Sequence, residues 1–213
     1  MTRSLLIRHG ETWANRGEIF AGYTDAKLTE LGEKQAQVTA KFVTEKYKVD
    51  AVYASDLERA FNTGKAVADR IGVETIPEKG MREIFGGAWE NVEYAKLCDL
   101  YPEEYGVWLH NIGKCKCVDG ETTVELGERV LGTLERIAKE NEGKTVVVAT
   151  HATPVRVTQS LIEQGSLENM QAVPWVSNAS VTEITYTDGK WEVVAASQDA
   201  HLGELKTVLP DTV

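Results

Sequence analysis

The sequence predicts an α/β fold on a mixed, mostly parallel β-sheet, and three observations carry that reading. Short β-rich runs at residues 4–7, 51–53 and 145–149 are compact and mostly apolar, as strands buried on both faces of a sheet are. Longer segments of helical period separate them, which is the βαβ alternation of a parallel sheet. Near the C-terminal end, two more strand-like runs flank Asp188-Gly189, a hairpin signal that makes the sheet mixed.

Taken in order, the first strand covers residues 4–7 and a helix covers 29–48. Thr29 is its predicted N-cap, with Leu31, Val38 and Phe42 on one face. The strand at 51–53 leads into Ser55-Asp-Leu-Glu58, whose Ser-x-x-Glu form predicts a capping box and a helix start. Residues 85–120 lack strand character and hold two or three short helical patterns with many aromatics. They read as a helical insertion over the active-site edge of the sheet, within a single domain spanning 1–213. Thr122-Thr-Val-Glu125 repeats the capping signal, and Leu126, Val130, Leu134 and Ile137 form the apolar stripe of a long helix ending at Gly143. The strand at 145–149 follows, then the hairpin strands 180–187 and 190–196.

The chain has 213 residues, enough to bury a core without disulfides or metal. Its hydrophobic fraction of 42% and charged fraction of 26% are those of an ordinary globular protein, not a disordered one. A net charge of −10 argues against general nucleic-acid binding. An anionic ligand is still admissible where a few arginines are concentrated. No apolar run approaches the roughly 18 residues of a membrane helix, and the first residues do not form a signal peptide. Cys98, Cys115 and Cys117 form neither a disulfide framework nor a four-ligand zinc site, so a cytoplasmic location is expected.

Two histidines directly follow the clearest strands, in Ile7-Arg8-His9-Gly10-Glu11-Thr12 and Ala149-Thr150-His151-Ala152. Ligands of open α/β sheets bind outside the carboxyl ends of the strands, so these segments can meet there. Arg59, on the helix after the middle strand, points to the same edge. Singly, a strand-end histidine is more often a satisfied polar residue, and such an arginine a solvated one. Jointly, two His and two Arg near helix N-termini form a phosphate or carboxylate site.

These residues resemble the histidine phosphatase superfamily in its phosphoglycerate-mutase-like branch. The resemblance runs through Arg8-His9-Gly10-Glu11-Thr12 with Asn15, Gly22-Tyr-Thr-Asp25, Leu28-Thr29-Glu30-Leu31-Gly32, Gln35-Ala36 and Ser55-Asp56-Leu57-Glu58-Arg59-Ala60 with Thr63. It continues through Glu83-Ile-Phe-Gly86 with Trp89-Glu90, Asp119-Gly-Glu121, Thr150-His151, Val155-Arg156 and Ser177-Asn178-Ala-Ser-Val181. It implies a three-layer α/β/α sandwich and phosphoryl transfer through a phosphohistidine. His9 would be the nucleophile, and Arg8, Arg59 and His151 would bind the transferring oxygens. Asn15 and the backbone at Gly22 and Ala152 would add neutral donors, and Glu83 would serve as general acid and base. Read without the family pattern, Glu83 would instead pair with Arg82 or Lys79. No metal and no cofactor is implied, since the arginines supply the positive charge.

The chain departs from the pattern at Ala152-Thr153-Pro154, where many relatives carry Gly-Gly, and at Asn91, often Gly elsewhere. Gly64 replaces the usual Ala inside a helix, a cost of about 1 kcal/mol with no evident role. The mutases of the family carry an Arg- and Tyr-rich segment after the acid. Here Ile84-Phe-Gly-Gly-Ala-Trp-Glu-Asn-Val92 has no basic residue, which resembles the phosphatase subgroup. The expected activity is metal-independent hydrolysis of small phosphorylated metabolites by a monomer or homodimer, with no nucleic-acid or membrane partner. A cofactor-dependent phosphoglycerate mutase and a non-catalytic phospho-ligand module are the alternatives. Trp13 and Trp89 are the tryptophans expected to line the pocket, Lys114-Cys-Lys-Cys117 is a substrate-facing or merely solvated loop, and His110 and His201 are structural or surface residues.

Overall fold

The structure, a computed structural model, describes residues 1–207. Six strands form one sheet: β1 (Thr2–Arg8), β2 (Ala51–Ala54), β3 (Thr75–Pro77), β4 (Thr145–Thr150), β5 (Val181–Thr187) and β6 (Lys190–Gln198), in the order β3-β2-β4-β1-β5-β6. The first four are mutually parallel, and β5 and β6 are antiparallel additions. The hairpin turns at Asp188 and Gly189, both at positive φ (50° and 80°), as a two-residue primed turn requires. β3 escaped the sequence reading because it is three residues long. Its Pro77 is tolerated at the sheet edge, where no further strand needs its missing N–H.

Consecutive core residues of the central strands point to opposite faces, and each face has its own helical layer. Leu5, Ile7, Val52 and Val147 pack with α2 (Glu30–Lys46), which follows the single-turn α1 (Trp13–Arg16), and with α3 (Glu58–Ile71) through Ala36, Ala40, Val43 and Val67. Leu6, Tyr53, Val146 and Val148 pack with α6 (Thr123–Glu140) and α7 (Ala152–Gln164) through Leu126, Val130, Leu134 and Val155. The result is the expected three-layer sandwich.

The helix starts divide instructively. Thr29 caps α2 by accepting from the Gly32 amide, and Thr122 forms the predicted capping box with Glu125. The buried face of α2 is not the predicted Leu31, Val38, Phe42 stripe, whose members are only half-buried. It is the small-residue face of Gly32, Ala36, Thr39 and Ala40 with Val43, rotated toward the sheet. The box predicted at Ser55 does not form. The N-cap of α3 is Leu57, which gives no side-chain cap, and the Glu58 amide is capped by the Asp25 carboxylate at 2.7 Å. Gly64 acquires a role as well. A Cβ there would lie 3.0 Å from the Cβ atoms of both Ala54 and Ala149, so glycine lets α3 approach the sheet closely.

Between residues 85 and 120 the described elements are α4 (Tyr94–Leu100), α5 (Pro102–Asn111) and single 3₁₀ turns. This segment is stitched to the loop after β1. Phe20 N–H donates to Val92 O, Asn91 N–H to Phe20 O and Tyr94 N–H to Glu18 O, each at 2.9 Å. Among the described residues, no helix is long and apolar enough to cross a membrane.

Candidate active site

Strand register builds the site. Arg8 pairs with Thr150 across β1 and β4, so His9 and His151 leave adjacent parallel strands side by side. Their ring centroids are 5.2 Å apart in an edge-to-face arrangement. Ala54 pairs with Ala149, which puts Ser55 next to the same strand end. There its hydroxyl lies 2.8 Å from His151 Nε2. The residue that looked like a helix cap is therefore an imidazole partner. Leu57 N–H also reaches the Ser55 oxygen, at 3.4 Å. The arrangement that uses the single hydroxyl proton donates it to Nε2 and puts the imidazole proton on Nδ1.

His9 lies at the cleft with its Nδ1 2.7 Å from the Gly10 carbonyl oxygen. A carbonyl only accepts, so the ring proton is on Nδ1 and the Nε2 lone pair is free. Burial, and then the charges of Arg59 and Arg8, hold the His9 pKa well below its ordinary value, so the ring is neutral at neutral pH. His151 is shifted the same way by burial, Arg59 and His9. It packs behind His9, fully buried and off the cleft surface, and its Nδ1 has no protein partner.

Two buried guanidinium groups face this pair. Arg59, 1% exposed, donates to Gly22 O at 2.7 Å and Thr24 O at 2.8 Å. Arg8 donates from Nη1 to Val176 O, and its buried Nε has no partner. Burial lowers the Arg8 pKa to about 10, which leaves it charged at neutral pH. Gly22 sits at φ +51°, and a Cβ there would fall 2.5 Å from Glu90 Oε1, the atom that accepts from Tyr23 N–H. Asn15 accepts from Thr12 N–H and Asn178 Nδ2 through the same Oδ1, so its amide nitrogen is left as a donor. Ala152 opens α7 behind His151, and its N–H is one of the free amides of that helix start.

Glu83 lies on the cleft, its Oε1 accepting from Ile84 N–H at 2.8 Å and its Oε2 from Thr153 N–H at 3.4 Å. The alternative pairing with Arg82 is absent, because Arg82 holds Asp56 through two bonds of 2.6 Å. The other acidic residues of the motifs are engaged elsewhere: Glu11 with Arg16 and Thr29, Glu90 with the 22–24 loop, Glu121 with Arg129. Arg129, which the sequence reading missed, clamps the turn that carries Glu83. It donates to the carbonyls of Gly80, Arg82 and Glu83 at 3.0, 2.8 and 2.7 Å. No local pattern marks it, since it stands beside an ordinary apolar helix stripe.

Arg8, His9, Asn15, Gly22, Arg59, Glu83 and Ala152 thus line a single cleft of about 490 Å³, its open mouth included. The tryptophans of this cleft are Trp108 and Trp175, not the expected pair. Trp13 is 58% exposed and stacked on Arg16, and Trp89 is wholly buried among Phe20, Tyr105 and Trp108. Cys115 and Cys117 are buried and do not line the cleft, so they anchor their loop rather than meet substrate. His201 stacks on Phe42 and bonds Thr39, as a structural residue does, and His110 is exposed. Among the described residues, no cluster of three His, Cys, Asp or Glu side chains is placed to hold a metal ion.

Comparison with known proteins gives a consistent answer. The family model described as histidine phosphatase superfamily (branch 1) matches residues 4–199. Phosphoserine phosphatase 1 of Hydrogenobacter thermophilus is 28% identical over 204 residues, covering 96% of each chain. A metal-independent phosphoserine phosphatase of Arabidopsis thaliana is 30% identical over 207 residues, or 96% of this chain and 85% of the relative. Among solved structures, the YhfR protein of Bacillus stearothermophilus superposes with a TM-score of 0.90 at 25% identity, covering 95% of this chain and 100% of that one.

Proposed function

The chain belongs to branch 1 of the histidine phosphatase superfamily and is a phosphatase enzyme, and from that footing we propose that it hydrolyses small phosphate monoesters through a phosphohistidine on His9, without a metal ion. In the first half-reaction His9 Nε2 attacks phosphorus, the P–O ester bond breaks, and the Glu83 carboxyl gives its proton to the departing alkoxide. In the second, Glu83 takes a proton from water. The resulting hydroxide displaces the imidazole, and inorganic phosphate leaves with His9 neutral again.

The observation that carries this reading is a neutral histidine, its free Nε2 set by the Gly10 carbonyl, beside two buried guanidinium groups. Phosphoryl transfer needs positioning and compensation of charge on the equatorial oxygens, and preorganised donors do both. Arg8 lines the cleft and its Nε is a buried donor without a protein partner, a costly state that a bound phosphoryl oxygen would relieve. The donor set of two arginines, two histidines and one carboxylate suits an oxyanion and is a poor match for Mg²⁺, which prefers several oxygen ligands. Phosphoglycerate mutation is less well supported, because among the described residues Arg8 and Arg59 are the only arginine or lysine side chains lining the cleft.

The test is turnover of phosphate monoesters with EDTA present, with wild type and His9→Ala side by side. Wild type is expected to hydrolyse them with its activity unaffected by chelation, and folded His9→Ala to be inert. Activity that disappears on chelation and returns with Mg²⁺ or Zn²⁺, or that survives in His9→Ala, overturns the mechanism.

A further inference from the structure

Beyond the phosphoryl site, the cleft has a second wall. Its side chains are Ile19, Phe20, Ile84, Tyr94, Trp108 and Trp175. The charged side chains lining the cleft are Arg8, Arg59 and Glu83, and the proposed reaction uses all three.

This wall is firmly held. Backbone bonds stitch Phe20 and the start of α4 together, and Phe20 meets Trp108 edge-on with centroids 5.3 Å apart. Trp108 in turn packs 6.0 Å from Trp175. Trp175 lies flat against a cation, with the Arg156 guanidinium carbon 4.0 Å from its ring centroid. Arg156 is buried, bonded to Val173 O and Met170 O, and does not line the cleft. Trp175 therefore covers a positive charge that a carboxylate on the substrate would otherwise seek.

We propose that the cleft selects phosphate monoesters of uncharged, ring-bearing alcohols and rejects those whose alcohol carries a carboxylate, with Trp108 and Trp175 as specificity-determining residues. The proposal rests on the phosphatase reading above and adds its substrate class. A flat ring gains edge-to-face and offset contacts with the two indoles and the Tyr94 ring. A carboxylate set against the same wall loses water, meets no cation there because the unpartnered Nη1 of Arg156 is buried off the cleft, and lies near Glu83, so its desolvation goes uncompensated.

Benzyl phosphate and O-phosphoserine decide the matter, since both are esters of primary alcohols and serine is the better leaving group. Benzyl phosphate is expected to show at least a 100-fold higher kcat/KM. Trp175→Ala, which uncovers Arg156, should shrink that ratio at least tenfold through KM, with inhibition by inorganic phosphate unchanged. Trp175→Leu serves the same end if the alanine variant does not fold. A binding arm uses benzylphosphonate and 2-amino-3-phosphonopropionate, which cannot be hydrolysed, and the first should bind more tightly. Tight, selective benzylphosphonate binding with no ester turnover would refute the phosphatase reading and leave the selectivity standing. Phosphoserine turned over as well as benzyl phosphate, equal binding of the two phosphonates, or a ratio unmoved by either Trp175 variant overturns the proposal.

Discussion

His9 Nδ1 lies 2.7 Å from the carbonyl oxygen of Gly10, and this contact decides which ring nitrogen can be a nucleophile. With the proton on Nδ1, only Nε2 has a lone pair to offer. The phosphoenzyme is therefore expected to be the Nε2-linked isomer, 3-phosphohistidine. Alkaline quench of ¹⁵N-histidine-labelled enzyme, followed by phosphorus–nitrogen coupling measurements, identifies the linked atom. Finding the Nδ1-linked isomer would sink the assignment.

Glu83 and Arg59 separate by their response to the leaving group. A good leaving group departs without a proton, so Glu83→Gln is expected to slow alkyl phosphate hydrolysis by about 10²–10⁴. Release of p-nitrophenol in the first turnover should barely change. Arg59 faces oxygens common to every substrate, so Arg59→Ala should slow both by about 10²–10³. Equal losses on both substrates for Glu83→Gln would remove that residue from its role.

Gly32 and Gly10 are expected to be indispensable for the shape of the site. A Cβ on Gly32 would fall 2.0 Å from the Glu11 carbonyl oxygen, and one on Gly10 would fall 2.3 Å from the Gly32 carbonyl oxygen. These are backbone atoms, and relieving the clash moves the loop that carries His9. Gly32→Ala is expected to cost about 3 kcal/mol in urea unfolding, the upper end for overpacking. It should also lower kcat although the residue touches no substrate. A variant with wild-type stability contradicts the packing account.

Stability should fall as the pH drops below about 6.5, and the sign follows from the buried histidines. The pKa values of His9 and His151 are lowered in the fold, chiefly by burial. Between the ordinary histidine value and the lowered one, the unfolded chain binds the extra protons, so stability is full above about 6.5 and is lost below it. Each of the two contributes up to about 1.4 kcal/mol per pH unit. The ion-paired Asp56 is lowered by its bond to Arg82, so its loss belongs to a more acid range. Urea unfolding at several pH values measures the slope, and His9→Gln should reduce it by about one proton. A slope of zero contradicts neutral burial.

Ser55 and Trp13 show where the sequence was misleading, and Thr122 shows where it was not. A capping box closes within four residues, so Thr122 and Glu125 could be read directly. Ser55-x-x-Glu58 has the same form, but the Ser55 hydroxyl had a competing partner, His151, far away in sequence. Trp13 and Trp89 stand next to the motifs, yet adjacency along the chain says nothing of which face a ring takes. Trp108 and Trp175 reach the cleft from α5 and from the loop before β5.

By itself the sequence determined the α/β alternation on a mixed, mostly parallel sheet and the place of two histidines at strand ends, while the three layers came from the family resemblance. Burial on both faces and helical period leave their mark within a few residues, and ligand sites of such sheets lie at strand ends. Only the tertiary structure decided that α2 buries its small residues, that Asp25 caps α3, that Arg129 braces Glu83 and that Trp175 covers Arg156. Each of these is a contest between partners distant in sequence. Its outcome depends on how strands register and how closely helices approach the sheet: the pairing of Arg8 with Thr150 and of Ala54 with Ala149, and the missing Cβ at Gly64, settle contacts that no local pattern encodes.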